Sequence, residues 1–528
     1  MLNYLAGGDR ASPLAFWSGT LAVTIGVILH LPMFIMAGEM NYMLAGMDMD
    51  WEMSVGMVLI VLGTVAAGYG LLPRKPNGTV QETVAPPLAA ANAAPRTGGE
   101  ADRLTTAHVG LLLALLLALV IDSMKPASLG FVVPGMAAEY GLARPTVAIL
   151  VFFALTGTTI GSLVWGILAD RLGRRAAILL AAVMFIGTSI CGAMPSYLMN
   201  IVMCFLMGVS AGGMLPITFT LMAELVPARH RGWCLVLLGS VGLTAGYLAA
   251  SGCAALLEPM FGWRIMWFVG LPTGLLLIAL NHFIPESPNF LMAHGRVAEA
   301  RAGMARFGMV LPSPGVSSNT GQIGDRRPRV VGPGLTGMTL SLNLAALAWG
   351  LVNFGLLLWL PADLRAKGYT VAGSDVLLAR SALLALPTAA ITAWLYTRWS
   401  TKRTLILLCG ITAFGLLGLA ALGRGITLLD NNLVVLISLL MVGTNGVIAV
   451  LLPYTAESYP LRIRGRGTGF VAGSSKAGGI VVQVIAMAAM VPPLGIATIV
   501  LALPMAVSAV FVARHCIESR GRRLDAPS

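Results

Sequence analysis

Two ionisable side chains stand where lipid would exclude them. Asp122 and Lys125 lie within the run Ile121-Asp122-Ser123-Met124-Lys125-Pro126 of a long apolar stretch. A charge at the centre of a membrane helix costs at least about 2.5–3.5 kcal/mol on insertion scales, so it needs a cavity or a partner. Asp122 is the candidate proton carrier, and Lys125 the candidate partner of a solute carboxylate. At i and i+3 they also share a helix face, which leaves open a self-satisfied ion pair that only braces the helix. Further polar residues fall inside apolar runs. Arg380, near the end of its run, can bind solute or snorkel outward. Lys476, in Ser474-Ser475-Lys476, can bind or brace. Asn343, Asn353 and Asn445 can hydrogen-bond a solute or bridge helices. Trp349 and Phe354 can stack on a ring or simply pack.

A second chemistry is suggested near the N-terminus, where Met33, Met36, Met40, Met43, Met47, Met49, Met53 and Met57 crowd together beside His30. Thioethers are soft ligands suited to Cu(I). Many of these residues recur at three- or four-residue spacing, which equally gives a packing stripe. Elsewhere the chain has no His/Cys metal pattern, no phosphate-cradling loop and no nucleophile–base constellation, so neither a cofactor nor enzymatic chemistry is expected. The six cysteines are scattered without a CxxC and read as small packing residues.

The elements that must hold these residues follow from composition. The 528 residues are 57% hydrophobic and 11% charged, against roughly half and a quarter in a soluble domain. Apolar runs of about 20 residues, each long enough to cross a bilayer core, recur near 14–37, 53–72, 107–132, 145–169, 176–195, 199–221, 233–256, 264–283, 335–360, 374–396, 404–422, 432–453, 467–490 and 492–513. All must be helical, because lipid offers no partner to a bare backbone amide. The first is expected to be a retained helix, since it lacks the basic start and small-residue cleavage site of a signal peptide.

The expected layout is a two-helix extension with its Met-rich loop (1–73), a flexible linker (74–104), a six-helix half (105–283), a central loop (284–334), a second six-helix half (335–515) and a tail (516–528). Basic clusters such as Arg171/Arg174/Arg175, Arg229/Arg231, Arg398/Lys402/Arg403 and Arg520/Arg522/Arg523 all fall on one side, whereas the first loop opposite carries Glu39, Asp48, Asp50 and Glu52 without Lys or Arg. By the positive-inside rule both termini are cytoplasmic, in the cell inner membrane. The net charge of +12 is then a topology signal that calls for the lipid bilayer and no nucleic acid.

The halves share a signature. Residues 223–232 read AELVPARHRG and residues 456–465 read AESYPLRIRG, both A-E-x-x-P-x-R-x-R-G. Internal duplication is typical of secondary transporters, which place substrate between repeats near the midplane. In the first half, Gly166-Ile-Leu-Ala-Asp170-Arg171-Leu-Gly173-Arg174-Arg175 resembles the signature loop of the major facilitator superfamily. Glycine would let helices approach, while Asp170 would cap or pair with a neighbouring helix end and basic residues at the cytoplasmic rim, latching one access state. The equivalent stretch 393–402 keeps Arg398 and Lys402 without the acid and glycines.

Pro285-Glu286-Ser287-Pro288-Asn289-Phe290-Leu291 resembles an element of sugar porters and organic-acid symporters. With the paired loops, that resemblance implies a cytoplasmic charge network of Glu224, Arg231, Glu286, Glu457 and Arg464. The segment from Asp122 to Pro134 is similar to the first core helix of aromatic acid/proton symporters, with Asp122 matching the first acid and Lys125 standing in place of the second. Lys476 occupies a place where relatives often carry a basic residue. The arginine many proton-coupled relatives hold in the fourth helix is Cys204 here, and the Gly-Pro pair of drug/proton antiporters is missing.

The resemblance, over about 105–515, implies an all-α membrane protein: a major facilitator fold of 6+6 transmembrane helices with two additional N-terminal ones. It implies a monomeric secondary transporter of a small organic solute, an organic or aromatic acid, with protons as partner. Efflux of amphipathic compounds, copper handling through the methionine loop and a transporter-like sensor are the alternatives.

Overall fold

The computed structural model describes residues 12–73, 103–309, 335–423, 430–459 and 464–519. Most of the linker, the polar part of the central loop and the tail from residue 520 lie outside the described residues. So does the side chain of Arg464.

Among the described residues, fourteen helices are long and apolar enough to span a membrane. The extension contributes α1 (Pro13–Met40) and α2 (Trp51–Gly70). The first half holds α3 (Thr106–Tyr140), α4 (Arg144–Leu172), α5 (Arg174–Ala193), α6 (Tyr197–Leu225), α7 (Ala228–Phe261) and α8 (Ile265–Phe283). The second half holds α9 (Thr336–Ala366), α10 (Val371–Arg398), α11 (Thr401–Ala421), α12 (Asp430–Ser458), α13 (Arg466–Met487) and α14 (Leu494–His515). No strand occurs among the described residues. Several helices outrun the apolar windows: α7 continues to Phe261 and α9 to Ala366. Their last turns carry charge that hydropathy alone leaves outside the span.

Within a bilayer there is no hydrophobic drive between helices, so close backbone packing must supply it. Glycines do this between α4 and α6. A Cβ on Gly157 would stand 2.2 Å from the Phe205 carbonyl oxygen, and one on Gly161 2.3 Å from that of Val209. The same device joins α1 to α2, where a Cβ on Gly19 would lie 2.4 Å from the Gly63 oxygen and one on Gly26 2.6 Å from the Gly56 oxygen. This pair then packs on α5 and shares one buried core with α3, α5, α6 and α8.

The two halves meet along two seams related by the repeat, α7 against α10 and α13 against α4. Of the clusters expected to face the cytoplasm, those within the described residues gather at one end, the basic end. At the far end α3 touches α9, where a Cβ on Gly130 would fall 2.6 Å from the Leu358 oxygen. Five of the six thiols are buried and none is in a disulfide. Burial pushes that of Cys516, just beyond α14, up to about 11, so it stays protonated and inert.

Candidate functional site

Asp122 sits on α3, 6% exposed. Its carboxylate accepts no hydrogen bond and forms no ion pair among the described residues. The expected pair with Lys125 is not made. Lys125 instead turns into its own half, where its ammonium donates to the Phe185 carbonyl at 2.5 Å and to Thr188 Oγ1 at 2.6 Å. It also lies over the Phe185 ring, 4.0 Å from the centroid. The i,i+3 spacing is correct, but α5 offers a carbonyl and a hydroxyl that together satisfy a desolvated ammonium. Lys125 is therefore a tie between α3 and α5.

The cation that takes its place comes from the other half. Lys476 on α13 donates to the Thr158 carbonyl on α4 at 3.2 Å and lies within electrostatic reach of Asp122. Asn445 on α12 makes a parallel crossing, its amide donating to Thr244 Oγ1 on α7 at 3.0 Å. Trp349 donates from Nε1 to the Thr444 carbonyl at 2.9 Å and meets Phe354 edge-on, ring centroids 5.7 Å apart. Asn353 opens a π-helical turn, Asn353–Leu357, that interrupts α9; such bulges are frequent at functional sites. Gln483, one α13 face along from Lys476, donates to the Phe354 carbonyl at 2.9 Å while its Oε1 stays buried and unpartnered. Tyr247 on α7 likewise buries an unpartnered hydroxyl.

Thr244, Tyr247 and Gln483 escape the sequence reading because hydroxyls and amides are common in membrane helices, and nothing local marks which face a cavity. Asn343 is structural, donating to the Thr339 carbonyl and accepting from Ser474 Oγ, both at 2.7 Å. Arg380 is exposed, away from this group.

At the basic end each half carries a polar network. Arg174 reaches Asp170 at 3.1 Å and Glu224 at 3.6 Å. Glu286 accepts from the Arg175 amide at 3.2 Å, and Glu224 accepts a short hydrogen bond from Ser287 Oγ. Gly173 is required here: its φ is +98°, and a Cβ would fall 2.3 Å from Glu286 Oε2.

One expectation about this loop changes, that for Gly166. Asp170, with its side chain 74% exposed, pairs with Arg174, the first residue of α5. Gly166 has nothing within 4 Å of a would-be Cβ, so it mediates no close approach. Arg171 is exposed, and Arg231 lies on the first turn of α7. In the second half Glu457 accepts from Tyr396 Oη at 2.7 Å and Ser519 Oγ at 2.8 Å.

The methionines divide. Met33 and Met53 are buried in the core, Met36, Met40 and Met43 are exposed, and Met47, Met49 and Met57 pack against the core from its edge.

The Major Facilitator Superfamily profile matches residues 111–483. The chain belongs to that superfamily. It is a membrane transport protein and not an enzyme. Its sequence is 28% identical to the niacin transporter NiaP of Acinetobacter baylyi, over 72% of this chain and 86% of that one. It is 26% identical to the 4-hydroxybenzoate transporter PcaK of Pseudomonas putida, over 70% and 83%. Among solved structures, the partially occluded inward-open xylose transporter XylE from E. coli aligns with TM-score 0.62 at 17% identity, over 79% of this chain and all of that one. The superfamily match starts inside α3, so α1 and α2 lie outside it, as the two-helix extension requires.

Proposed function

We propose that this transporter moves a small aromatic monocarboxylate, of the pyridine-carboxylate or hydroxybenzoate kind, together with a proton across the cell inner membrane. The basic end faces the cytoplasm, and the chain acts as a monomer. One observation carries the reading: Asp122 is a buried carboxylate with no ion pair among the described residues, and Lys476 of the other half crosses the boundary to Thr158 within its electrostatic reach. While Asp122 is ionised, the lysine charge is compensated. A proton on Asp122 frees that charge for an anionic solute, whose ring can pack near Trp349 and Phe354. Proton and solute then favour each other's binding, which is the thermodynamic content of symport. The relatives named for niacin and 4-hydroxybenzoate support this solute class.

The test is uptake of labelled nicotinate and 4-hydroxybenzoate into proteoliposomes, with and without an inward proton gradient. Accumulation above equilibrium only with the gradient is expected. Equal uptake under both conditions removes the coupling, and no uptake across a panel of aromatic acids removes the solute class.

A further inference from the structure

The far end of the half boundary holds a charge group that the central site does not use. Arg365, at the end of α9, donates from Nη1 and Nη2 to the two carboxylate oxygens of Glu258 on α7, both at 3.0 Å. The same Nη2 reaches Asp375 on α10, at 3.2 and 3.3 Å. Glu258 is 6% exposed and Asp375 fully buried. Glu258 belongs to the first half, and its two partners belong to the second. One guanidinium thus serves two buried carboxylates, leaving one negative charge in excess if both are ionised.

The surroundings do not cancel that charge. Asp363 on α9 is already matched by Arg144 of α4 at 2.8 Å. Glu139 on α3 is matched by Arg264 at 2.7 Å. Lys367 and Arg380 are exposed, where water screens them. Asp430 on α12 accepts from Tyr369 Oη at 2.8 Å and adds no positive charge, and Tyr247 on α7 is neutral.

Two carboxylates sharing a buried site cannot both ionise without cost. We infer that Glu258 and Asp375 form a proton-binding site that closes the outer mouth of the transporter. When the halves part at this end, Arg365 stays with Asp375 as a neutral pair and Glu258 faces water alone, an ordinary ionised carboxylate. Closure returns Glu258 to the guanidinium and buries the excess charge, unless one carboxylate oxygen takes a proton from the outer solution.

The closed form thus binds one proton more than the open form, so closure strengthens as outer pH falls and is lost as pH rises through the closed-state pKa. The proton returns to the same side on reopening. The site therefore sets the mouth's pH response and adds nothing to the proton count per solute. The inference rests on the alternating movement and orientation proposed above, not on the identity of the solute.

The test is a distance measurement between spin labels on the exposed outer positions Leu198 (first half) and Met490 (second half), on the full chain with its native cysteines replaced and no solute present. In wild type the ratio of short to long distances should fall by up to about tenfold per pH unit over part of the range pH 5–8.5, as for one linked proton. Glu258→Gln and Asp375→Asn each remove the excess charge while keeping a neutral Arg365 pair, so both should stay closed throughout. A constant wild-type ratio overturns the inference, and so does a wild-type pH course in either variant that folds. Should neither fold, proton uptake by the wild type on closure decides it: one proton supports the site and none overturns it. Solute uptake is measured separately, so failure of the solute class leaves this outcome readable.

Discussion

Lys476 and Thr158 join the halves at the α13–α4 seam, the lysine ammonium donating to the threonine carbonyl at 3.2 Å. Lys125, by contrast, spends its ammonium on Phe185 and Thr188 within one half. Two lysines near one aspartate thus have different work. Lys476→Met should weaken solute binding at least about tenfold, or ~1.4 kcal/mol, with little change in thermal stability. Lys125→Met should leave solute affinity near wild type while costing about 1–3 kcal/mol of stability, through the stranded carbonyl and hydroxyl. Ligand-binding calorimetry paired with thermal unfolding in detergent separates them.

The proton argument gives a signed pH dependence. If a proton on Asp122 releases Lys476 for the solute, wild-type affinity should fall as pH rises. Asp122→Asn mimics the neutral state. It should bind at all pH values with the affinity that wild type shows only in acid, and exchange solute without accumulating it. Affinity measured between pH 5.5 and 8.5 checks the first part, and counterflow against gradient-driven uptake the second. A wild-type pH slope that survives in Asp122→Asn would remove the residue from this role.

The signature loop offers a stringent backbone test. Gly173 combines a positive φ with a Glu286 carboxylate lying where a Cβ would go. Gly173→Ala therefore incurs strain of about 1–3 kcal/mol, from a positive-φ extended conformation open essentially to glycine alone, and displaces Glu286 from the Arg175 amide. The basic end should loosen, seen as faster labelling of a cysteine placed beside the motif, while Gly166→Ala, in open space, should behave as wild type.

How much of this was legible beforehand varies by type of signal. The fourteen spans and the duplicated halves follow from hydropathy and from the A-E-x-x-P-x-R-x-R-G repeat, because the bilayer imposes helix length and the loops repeat their charges. The residues at the seams do not follow. Asp122 and Lys125 share a face by spacing, yet which neighbour satisfies a buried lysine depends on where α5 lies, a tertiary fact. Asp122 is the one acid well inside an apolar window, while Glu258 and Asp375 lie at or beyond the window edges. Hydropathy windows end where charge begins, and α7 continues past that edge to Phe261. The paired acids at the outer mouth are visible only once both halves are placed.

The loop after α1 is fastened at a buried hub, which makes the contribution of the extra helices measurable. Glu139 Oε1 accepts from the backbone amides of Leu44 and Ala45 in the loop after α1, at 2.8 and 2.9 Å. The same carboxylate takes Arg264 Nη2 at 2.7 Å and Trp263 Nε1 at 2.8 Å. Arg264 is fully buried, so removing its partner leaves a charge without water or counterion. Breaking such a pair costs about 3–5 kcal/mol. Glu139→Ala should therefore lower the unfolding temperature sharply and free the loop around Leu44, which limited proteolysis would report as faster cleavage there. Gly63→Leu attacks the same extension from the other side, forcing α1 from α2 where a Cβ would stand 2.6 Å from the Gly19 oxygen. It should expose the loop without disturbing the Glu139–Arg264 pair. If both variants cleave faster but only Glu139→Ala loses solute uptake, the hub serves the outer end of α3 and the extension itself is dispensable for transport. Loss of uptake in both would make the extension part of the transporting unit.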